Sequence, residues 1–284
     1  STSQGHSVQI WEAGTGNLIH CYEGHAHEVE AVAWSPDGQL LASAGYMVQV
    51  REAGTGKLIH CYIDEDYDSY IVEAVAWSPD GRLLASASHG SIQVWEATTG
   101  KLIDRYEDEY DSRIVEAVVW SPDGRLLASA SDDPSVHVWD TVTGKLIHYY
   151  EGHVQKVEAV AWSPDGRLLA STSYDSMQVW EATTGKLIYR YEEYDSCLTE
   201  AVAWSPDGRL LAFASRGKSH GNSVQVQVQV QVWEATTGKL IYRYEDHSDW
   251  VWAIAWSPDG RLLASASHDH SVQVWEAITG KLLC

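Results

Sequence analysis

Hydrophobic and polar residues alternate along this chain in short runs that polar turns interrupt, a pattern typical of antiparallel strands. Within residues 154–191, the β-rich run Val157–Trp162 ends at a Ser-Pro-Asp-Gly turn. Three further runs follow, at Arg167–Ser173, Met177–Trp180 and Lys186–Tyr191, and turn residues separate them. Because Pro, Asp and Gly each favour a different position of a tight turn, the pattern predicts four antiparallel strands joined by short connections.

The same four-strand pattern recurs along the chain. The pentapeptide Trp-Ser-Pro-Asp-Gly occurs six times, beginning at Trp34, Trp77, Trp120, Trp162, Trp204 and Trp256. The copies are 42 or 43 residues apart, except for one interval of 52 residues. A period of about 40–45 residues is typical of a propeller with four-stranded blades. The sequence therefore predicts an all-β fold, a β-propeller of four-stranded antiparallel blades that forms a single domain over residues 1–284.

The repeat also predicts how the blades divide the chain. The third-strand segment occurs seven times and the first strand only six times, so the chain begins inside a second strand. We predict a half-blade followed by six full blades, with the boundaries 1–23, 24–66, 67–109, 110–151, 152–193, 194–246 and 247–284. Seven blade positions with the first half-built is the preferred interpretation. Six blades preceded by an N-terminal hairpin is the alternative.

The repeats resemble those of the WD-repeat β-propeller family over essentially the whole chain. The resemblance is carried by the Gly-His pairs Gly24-His25 and Gly152-His153, by the Ser-Pro-Asp-Gly turn, and by Trp-Asp or Trp-Glu at the end of the third strand. Only Trp139-Asp140 is a literal Trp-Asp pair, and one repeat has Arg51-Glu52 instead. The near-identity of the copies indicates recent duplication.

The resemblance implies a side-chain network within each blade. It joins a His before the blade, a Ser or Thr of the second strand, an Asp of the following turn, and the third-strand Trp. The last repeat keeps every member, namely His247, Ser265 or Ser267, Asp269 and Trp275. A second repeat comes close, with a turn one residue shorter, through His153, Ser171, Asp175 and Trp180. We expect the other blades to depend more on packing.

Charge adds a candidate binding surface. The chain has 40 acidic and 19 basic residues, a net charge of −21. The resemblance implies that the fourth-to-first and second-to-third connections share one face, here called the acidic top face, and the net charge falls on these connections. Five Glu residues lie four positions before a repeated Trp, around the expected mouth of the central channel: Glu30, Glu73, Glu116, Glu158 and Glu200. The sixth equivalent is Trp252, flanked by Trp250.

An acidic mouth with one aromatic sector attracts cations and suits a cationic side chain packed on an indole. We therefore predict a non-catalytic scaffold that binds a basic or cationic protein or peptide through these Glu residues, Trp250 and Trp252. Acidic loops that only keep a β-rich protein soluble are the competing interpretation. Two other classes stay open: a sensor or regulatory repeat segment of a longer protein, and a propeller that binds a small ligand or glycan.

Several other classes are disfavoured. The sequence has no nucleophile-elbow, phosphate-loop or zinc spacing, so we expect no enzyme, cofactor or metal. Asp64, Asp66 and Asp68 alternate as in a calcium loop, but Ser69 and Val75 replace its Gly and Glu. The sequence His268-Asp269-His270 is more typical of an exposed turn than of a metal site. Nucleic acid would need clustered Lys and Arg. No apolar run reaches the roughly 20 residues of a membrane helix. Unpaired cysteines favour a cytoplasmic protein.

One third strand is unusually long. The alternating segment Val224–Val232 extends it by about six residues, an even number that preserves the alternation of its side chains. Repeat slippage explains the extension most simply. The functional alternative is a pairing edge for self-association with another chain, as is the half-blade.

Overall fold

A computed structural model describes residues 6–12, 15, 17–62, 71–107, 114–174, 176–192, 201–217 and 227–283. All regular elements in these residues are β-strands. The first sheet has only β1 (Ser7–Trp11) and β2 (Leu18–Glu23), and the last sheet has β23 (Val251–Trp256), β24 (Leu262–Ser267) and β25 (Val272–Glu276).

Five four-stranded sheets lie between these two along the chain. Their strands are β3 (Ala31–Trp34), β4 (Leu40–Ala44), β5 (Val48–Glu52), β6 (Leu58–Tyr62), β7 (Ala74–Trp77), β8 (Leu83–Ser88), β9 (Ser91–Glu96), β10 (Leu102–Glu107), β11 (Val115–Trp120), β12 (Leu126–Ser131), β13 (Ser135–Asp140), β14 (Leu146–Glu151), β15 (Val157–Trp162), β16 (Leu168–Ser173), β17 (Ser176–Glu181), β18 (Leu187–Glu192), β19 (Val202–Trp204), β20 (Leu210–Gly217), β21 (Gln227–Glu234) and β22 (Lys239–Tyr244). In each sheet, neighbouring strands are also consecutive in the chain. The predicted all-β fold with four-stranded antiparallel sheets is confirmed. The number and boundaries of the blades and the single domain stay predictions.

The chain forms two compact units. Unit 1 contains residues 1–129 and 139–145, and unit 2 contains residues 130–138 and 146–284. Each unit has its own apolar clusters, in which the small residues of a second strand pack with the Val residues of the third strand. In unit 1, for example, Ala42 and Ala44 of β4 are buried with Val48 and Val50 of β5. Small side chains at these positions let the next sheet approach closely.

The Ser-Pro-Asp-Gly turns are held by their own side chains. In the turn after β7, Ser78 Oγ donates to Asp80 Oδ1 at 2.6 Å, and the same oxygen accepts the Arg82 amide at 3.0 Å. These bonds hold the pKa of Asp80 below its usual value. Gly81 follows with φ of 70°, a conformation that residues with a Cβ rarely adopt. The turn therefore needs its Ser, Asp and Gly for separate reasons.

Within each unit, pentapeptide Trp side chains connect one sheet to the preceding one. In unit 1, Trp77 Nε1 donates to the carbonyl of Ala33 at 2.9 Å, and Trp120 Nε1 donates to that of Ala76 at 3.0 Å. In unit 2, Trp204 Nε1 donates in the same way to the carbonyl of Ala161 at 3.0 Å. Each acceptor residue directly precedes the pentapeptide Trp of its own sheet. The same sequence motif therefore makes the same contact in each of these repeats.

The long hairpin of unit 2 is paired along its described length. β20 and β21 pair from Leu210 with Glu234 to Gly217 with Gln227. β22 also pairs with β21 from Val230 to Glu234. Of the predicted segment Val224–Val232, residues 224–226 lie outside the described residues. A role for this segment in self-association stays a prediction.

Candidate interaction site

The predicted network of the last repeat lies on β24, β25 and the connections beside them. The buried His247 reaches both of its expected neighbours, with Nε2 2.8 Å from Ser265 Oγ and Nδ1 2.8 Å from Asp269 Oδ2. Trp275 Nε1 donates to Ser265 Oγ at 3.2 Å. Of the two candidate hydroxyls, Ser265 therefore contacts the His and the Trp. Ser267 instead donates to the Asp249 carbonyl at 2.7 Å.

Asp269 is the only charged acceptor in this network. Burial by itself would raise the pKa of its carboxyl group. The opposing hydrogen bonds are stronger, because Ser271 Oγ and the Ser271 amide reach Oδ1 at 2.5 and 2.9 Å, while His247 and the Ser248 amide reach Oδ2. Together they hold the pKa of Asp269 well below its usual value.

This pKa predicts a pH-dependent stability. A carboxyl group whose pKa is lower in the folded state stabilises the fold above its unfolded pKa of about 4 and loses that effect as the pH falls. We expect Asp269→Asn to lower the free energy of unfolding by about 1–3 kcal/mol at pH 7, because it removes a charged acceptor from a buried network. The difference from wild type should shrink between pH 5 and pH 2. Urea denaturation at each pH measures it.

Asp246→Asn is the matched control, since Asp246 is exposed in the same connection as His247. We expect its free energy of unfolding to stay within about 0.5 kcal/mol of wild type at pH 7. An Asp269→Asn deficit that persists unchanged at pH 2 would contradict the assignment of the stabilisation to the Asp269 charge.

The described members of the second predicted network make the same contacts as those of the last repeat. His153 Nε2 lies 2.7 Å from Ser171 Oγ, and Trp180 Nε1 donates to the same hydroxyl at 2.9 Å. On its other side, His153 Nδ1 lies 3.1 Å from Ser176 Oγ. Asp175 lies outside the described residues. Ser271, the equivalent of Ser176, likewise lies on this side of the imidazole in the last repeat, with Oγ 3.4 Å from His247 Nδ1.

Parts of the network also occur in repeats where we did not expect it. The third-strand Trp donates to the second-strand Ser in two repeats of unit 1, from Trp95 to Ser86 at 2.9 Å and from Trp139 to Ser129 at 3.3 Å. In the repeat with Arg51, the His–Ser contact remains, with His25 Nε2 2.7 Å from Ser43 Oγ. The sequence signal was the Leu-Ala-Ser motif of the second strand, which these repeats share. Packing is thus supplemented by buried polar contacts.

The predicted anchors Trp250 and Trp252 share one neighbour in unit 2. The ring centroid of the exposed His268 lies 6.0 Å from that of Trp250 and 5.9 Å from that of Trp252. The backbone fixes this group, because the His268 amide donates to the Trp250 carbonyl at 2.7 Å. Trp252 is 47% exposed, whereas Trp250 is half-buried. The three rings form an aromatic group, and Trp252 is the more accessible of its two tryptophans.

Acidic side chains lie in the connection before this aromatic group. Glu245, Asp246 and Asp249 are exposed there, between β22 and β23. Asp249 Oδ1 accepts a hydrogen bond from the Trp250 amide at 2.8 Å, which fixes this carboxylate next to the backbone of Trp250. An accessible indole that is close in sequence to three exposed carboxylates suits a cationic group. We call the six residues of this region the aromatic–acidic site: Glu245, Asp246, Asp249, Trp250, Trp252 and His268.

The first-strand Glu residues differ in exposure. In unit 1, Glu30 is exposed, whereas Glu73 and Glu116 are half-buried and interact with other groups. The Glu30 and Glu73 amides donate to second-strand carbonyls at 2.9 Å, which places both side chains at the same strand position. Glu200 lies outside the described residues. The grouping of these Glu residues around one channel mouth stays a prediction.

Glu158, in unit 2, is partly neutralised by its own repeat. Lys156 Nζ lies 2.9 Å from Glu158 Oε1 and 5.5 Å from the centre of the Tyr174 ring. Burial raises the pKa of Tyr174, and the nearby Glu158 charge adds to that shift. The Glu158 side chain is only 12% exposed. The repeat pattern predicts that Glu158 is equivalent to the other four Glu residues, but Lys156, two residues earlier in the sequence, distinguishes it from them.

The described residues show no grouping of three or more His, Cys, Asp or Glu side chains that could hold a metal ion. Across those same parts of the chain, no helix has the length and apolar character needed to cross a membrane.

The repeated sheets, the Trp contacts between them and the surface site define a repeat protein whose sheets are of the kind that form β-propeller blades. The family model described as "WD domain, G-beta repeat" matches residues 16–46, 56–96, 100–140, 144–181 and 238–276. These matches cover more than half of the chain, which therefore belongs to the WD-repeat family. No curated protein matches the chain. WD repeats generally mediate interactions with other proteins or peptides, and their propellers are typically non-catalytic scaffolds.

Proposed function

We propose that this protein is a non-catalytic interaction scaffold that binds a basic segment of a partner protein, with Trp252 as the anchor. The observation that carries the proposal is the exposure of Trp252, 47%, at a strand position where five other repeats have Glu. The His268 ring lies 5.9 Å from the Trp252 indole and 6.0 Å from that of Trp250 between centroids, and the acidic connection between β22 and β23 precedes both tryptophans in the chain.

Two physical effects favour a Lys or Arg side chain at this site. An indole face attracts a cation by about 0.5–2 kcal/mol, depending on how far the pair is removed from water. Carboxylates close to the indole in the chain raise the local concentration of cationic segments and speed their association. The net charge of −21 extends this attraction beyond the site itself. A basic peptide is therefore the ligand class that the aromatic–acidic site favours.

The predicted Glu residues enter the proposal with unequal weights. Glu30, in unit 1, is exposed and stays part of the predicted acidic top face. Glu73, Glu116 and Glu200 belong to the acidic top face as predicted from the sequence. Glu158 contributes least, because Lys156 lies 2.9 Å from its carboxylate. Trp252 thus gives the local contact, and the acids give the attraction at longer range.

A cytoplasmic location is also part of the proposal. Cys21 and Cys61 are exposed free thiols. Such thiols persist in reducing compartments and tend to form disulfides in oxidising ones.

A labelled peptide of alternating Arg and Ser tests the proposal by fluorescence anisotropy. We expect Trp252→Ala to weaken its binding about tenfold, which corresponds to about 1.4 kcal/mol, because the variant removes the cation–indole contact. Wild-type affinity should fall as salt rises from 50 to 500 mM, because salt screens the carboxylates.

Trp34→Ala is the matched control, since Trp34 is 48% exposed and lies in unit 1. It should bind the Arg–Ser peptide as wild type does. Unchanged affinity of Trp252→Ala, salt-independent binding, or equal binding of a Glu–Ser peptide would each contradict the proposal.

A further inference from the structure

A cleft of about 500 Å³ lies between two neighbouring sheets of unit 2. One side is formed by β20, β21, β22 and the turn after β19, and the other side by the turns after β23 and β25. Five apolar side chains line it, those of Pro206, Leu210, Ile241, Pro258 and Ile278. A cleft of this size, with apolar walls and a few polar groups, is typical of a site for a small molecule.

A hydrogen bond and a close contact hold the two sides of this cleft together. Trp256 Nε1, on β23, donates to the carbonyl of Ala203, on β19, at 3.0 Å. The two turns that line the cleft also touch, since a Cβ atom on Gly260 would lie only 3.4 Å from Pro206 Cδ. The cleft is therefore a preformed feature of the packed sheets.

Charged side chains also line the cleft. Three carboxylates and one guanidinium give it a net charge of −2, from Asp207, Glu234, Asp259 and Arg209. A hydrogen bond from the Ser205 hydroxyl holds the pKa of Asp207 below its usual value, and the Ser257 hydroxyl does the same for Asp259. Both Asp side chains are therefore ionised at neutral pH. The cleft thus combines apolar walls with an excess of negative charge.

Ile278 distinguishes this cleft from the repeat pattern. The equivalent turn position is Thr183 or Thr236 in the two preceding repeats of unit 2. Ile278 lines the cleft and is 72% exposed, so its apolar surface is accessible to a ligand. On the other side, Ile241 is half-buried, whereas its equivalent Ile188 is 42% exposed. A position that is polar in those repeats thus adds an apolar contact here.

We propose that this cleft binds a small organic amine with a compact aliphatic body. The aliphatic body packs between Ile241 and Ile278, and the ammonium group pairs with the carboxylate of Glu234. Arg209 and Arg261 partly offset the charges of the two Asp side chains, whose pKa values they also lower. Glu234 Oε2 instead accepts the neutral Thr237 hydroxyl, so the Glu234 charge is available to a cation.

The charge of the cleft selects an amine over other apolar ligands. A carboxylic acid would be repelled by the lining and by the net charge of −21. A neutral hydrocarbon would remove water from the carboxylates without replacing its interactions. An Arg–Ser peptide lacks the aliphatic body that the walls favour. The residues of the aromatic–acidic site do not line this cleft, so the inference is independent of the proposed function.

The test is a ligand-observed NMR titration of the full chain with three rigid probes, aminoadamantane, hydroxyadamantane and adamantane carboxylate. We expect saturable binding of the amine, about fivefold or more tighter than that of the alcohol, because only the amine is attracted by the carboxylates. The carboxylate probe should not bind. Glu234→Gln keeps an acceptor for Thr237 and should remove the preference for the amine over the alcohol. A rise in salt should weaken the amine more than the alcohol.

Ile278→Thr, which introduces the residue of the preceding repeats, should weaken the amine and the alcohol alike, by about fivefold, because it removes apolar contact area. Val142→Thr is the matched control, since Val142 is 80% exposed at the equivalent turn position in unit 1. It should bind both probes as wild type does. Far-UV circular dichroism should be unchanged in both variants, whose substituted side chains are exposed.

Absence of saturable amine binding, equal binding of the carboxylate probe, or unchanged affinity of Ile278→Thr would each overturn the proposal. Loss of amine binding in Trp252→Ala would also overturn it, by placing the amine on that indole. If the Arg–Ser peptide fails to bind while the amine binds as expected, only the proposed function is contradicted, so the two failures are distinguishable.

Discussion

Replacing Trp275 with alanine is expected to lower the free energy of unfolding by about 3–5 kcal/mol, the usual cost of removing a large buried aromatic side chain. Trp275 is 1% exposed, and its ring centroid lies 4.5 Å from that of Tyr244. Its Nε1 donates to Ser265, which also contacts His247. The variant therefore creates a cavity and removes a donor from a buried polar network. Urea denaturation followed by far-UV circular dichroism measures the change.

Trp11→Ala provides the matched control at the equivalent position of another repeat. Trp11 is 48% exposed, so about half of its surface already contacts water in the folded state. Because the transfer of apolar surface contributes in proportion to the area removed from water, we expect less than half of the Trp275→Ala effect. Equal losses of stability in the two variants would show that burial does not distinguish these two repeats.

The second large effect is expected from Phe213→Ser, which introduces the residue that other repeats have at this second-strand position. Phe213 is fully buried, and its ring lies 5.4 Å from Tyr191 and 6.2 Å from Trp233 between centroids. Trp233 Nε1 donates to Gln231 Oε1 at 3.1 Å, so it does not need a Ser acceptor. The change should therefore lower the free energy of unfolding by about 3–5 kcal/mol, although it restores the sequence of the repeat.

The reverse exchange, Ser171→Phe, is expected to be as harmful. Ser171 is fully buried and contacts both His153 and Trp180. A Phe ring there would overpack the core and leave two buried nitrogens, Trp180 Nε1 and His153 Nε2, without their hydrogen-bond partner, at a combined cost of about 3 kcal/mol or more. Phe213→Leu, which keeps most of the volume, should cost less than half as much as Phe213→Ser. If both exchanges were neutral, the two repeats would be interchangeable at this position.

The strands and turns of this protein could be predicted because their causes are local. Alternation between apolar and polar residues sets each strand, and Ser78, Asp80 and Gly81 act within one turn. The contacts of His247 and His153 with a second-strand Ser could also be anticipated, since this His and Ser recur at the same spacing, whereas the place of Asp175 in the second network stays a prediction. The choice between Ser265 and Ser267 could not, because it depends on which hydroxyl faces His247 across β24.

Other features depend on contacts that the sequence pattern does not contain. The only Phe of the chain occupies a Ser position, and its effect on Trp233 requires the position of Gln231 on the neighbouring strand. The pairing of Lys156 with Glu158 likewise distinguishes one first-strand Glu from the others. Near-identical copies thus acquire different environments through single substitutions, which a repeat alignment records as minor differences.

The contact between the pentapeptide Trp and the preceding sheet has a consequence for the history of the array. Its acceptor is a main-chain carbonyl, as in the bonds from Trp77 to Ala33 and from Trp204 to Ala161. The donor side chain therefore belongs to one repeat, and the first strand of the preceding repeat offers the acceptor whatever its side chain. When a repeat is duplicated or deleted, the repeats that become neighbours can form this hydrogen bond without a compensating mutation. Unequal recombination can change the number of repeats while each remaining junction stays bonded.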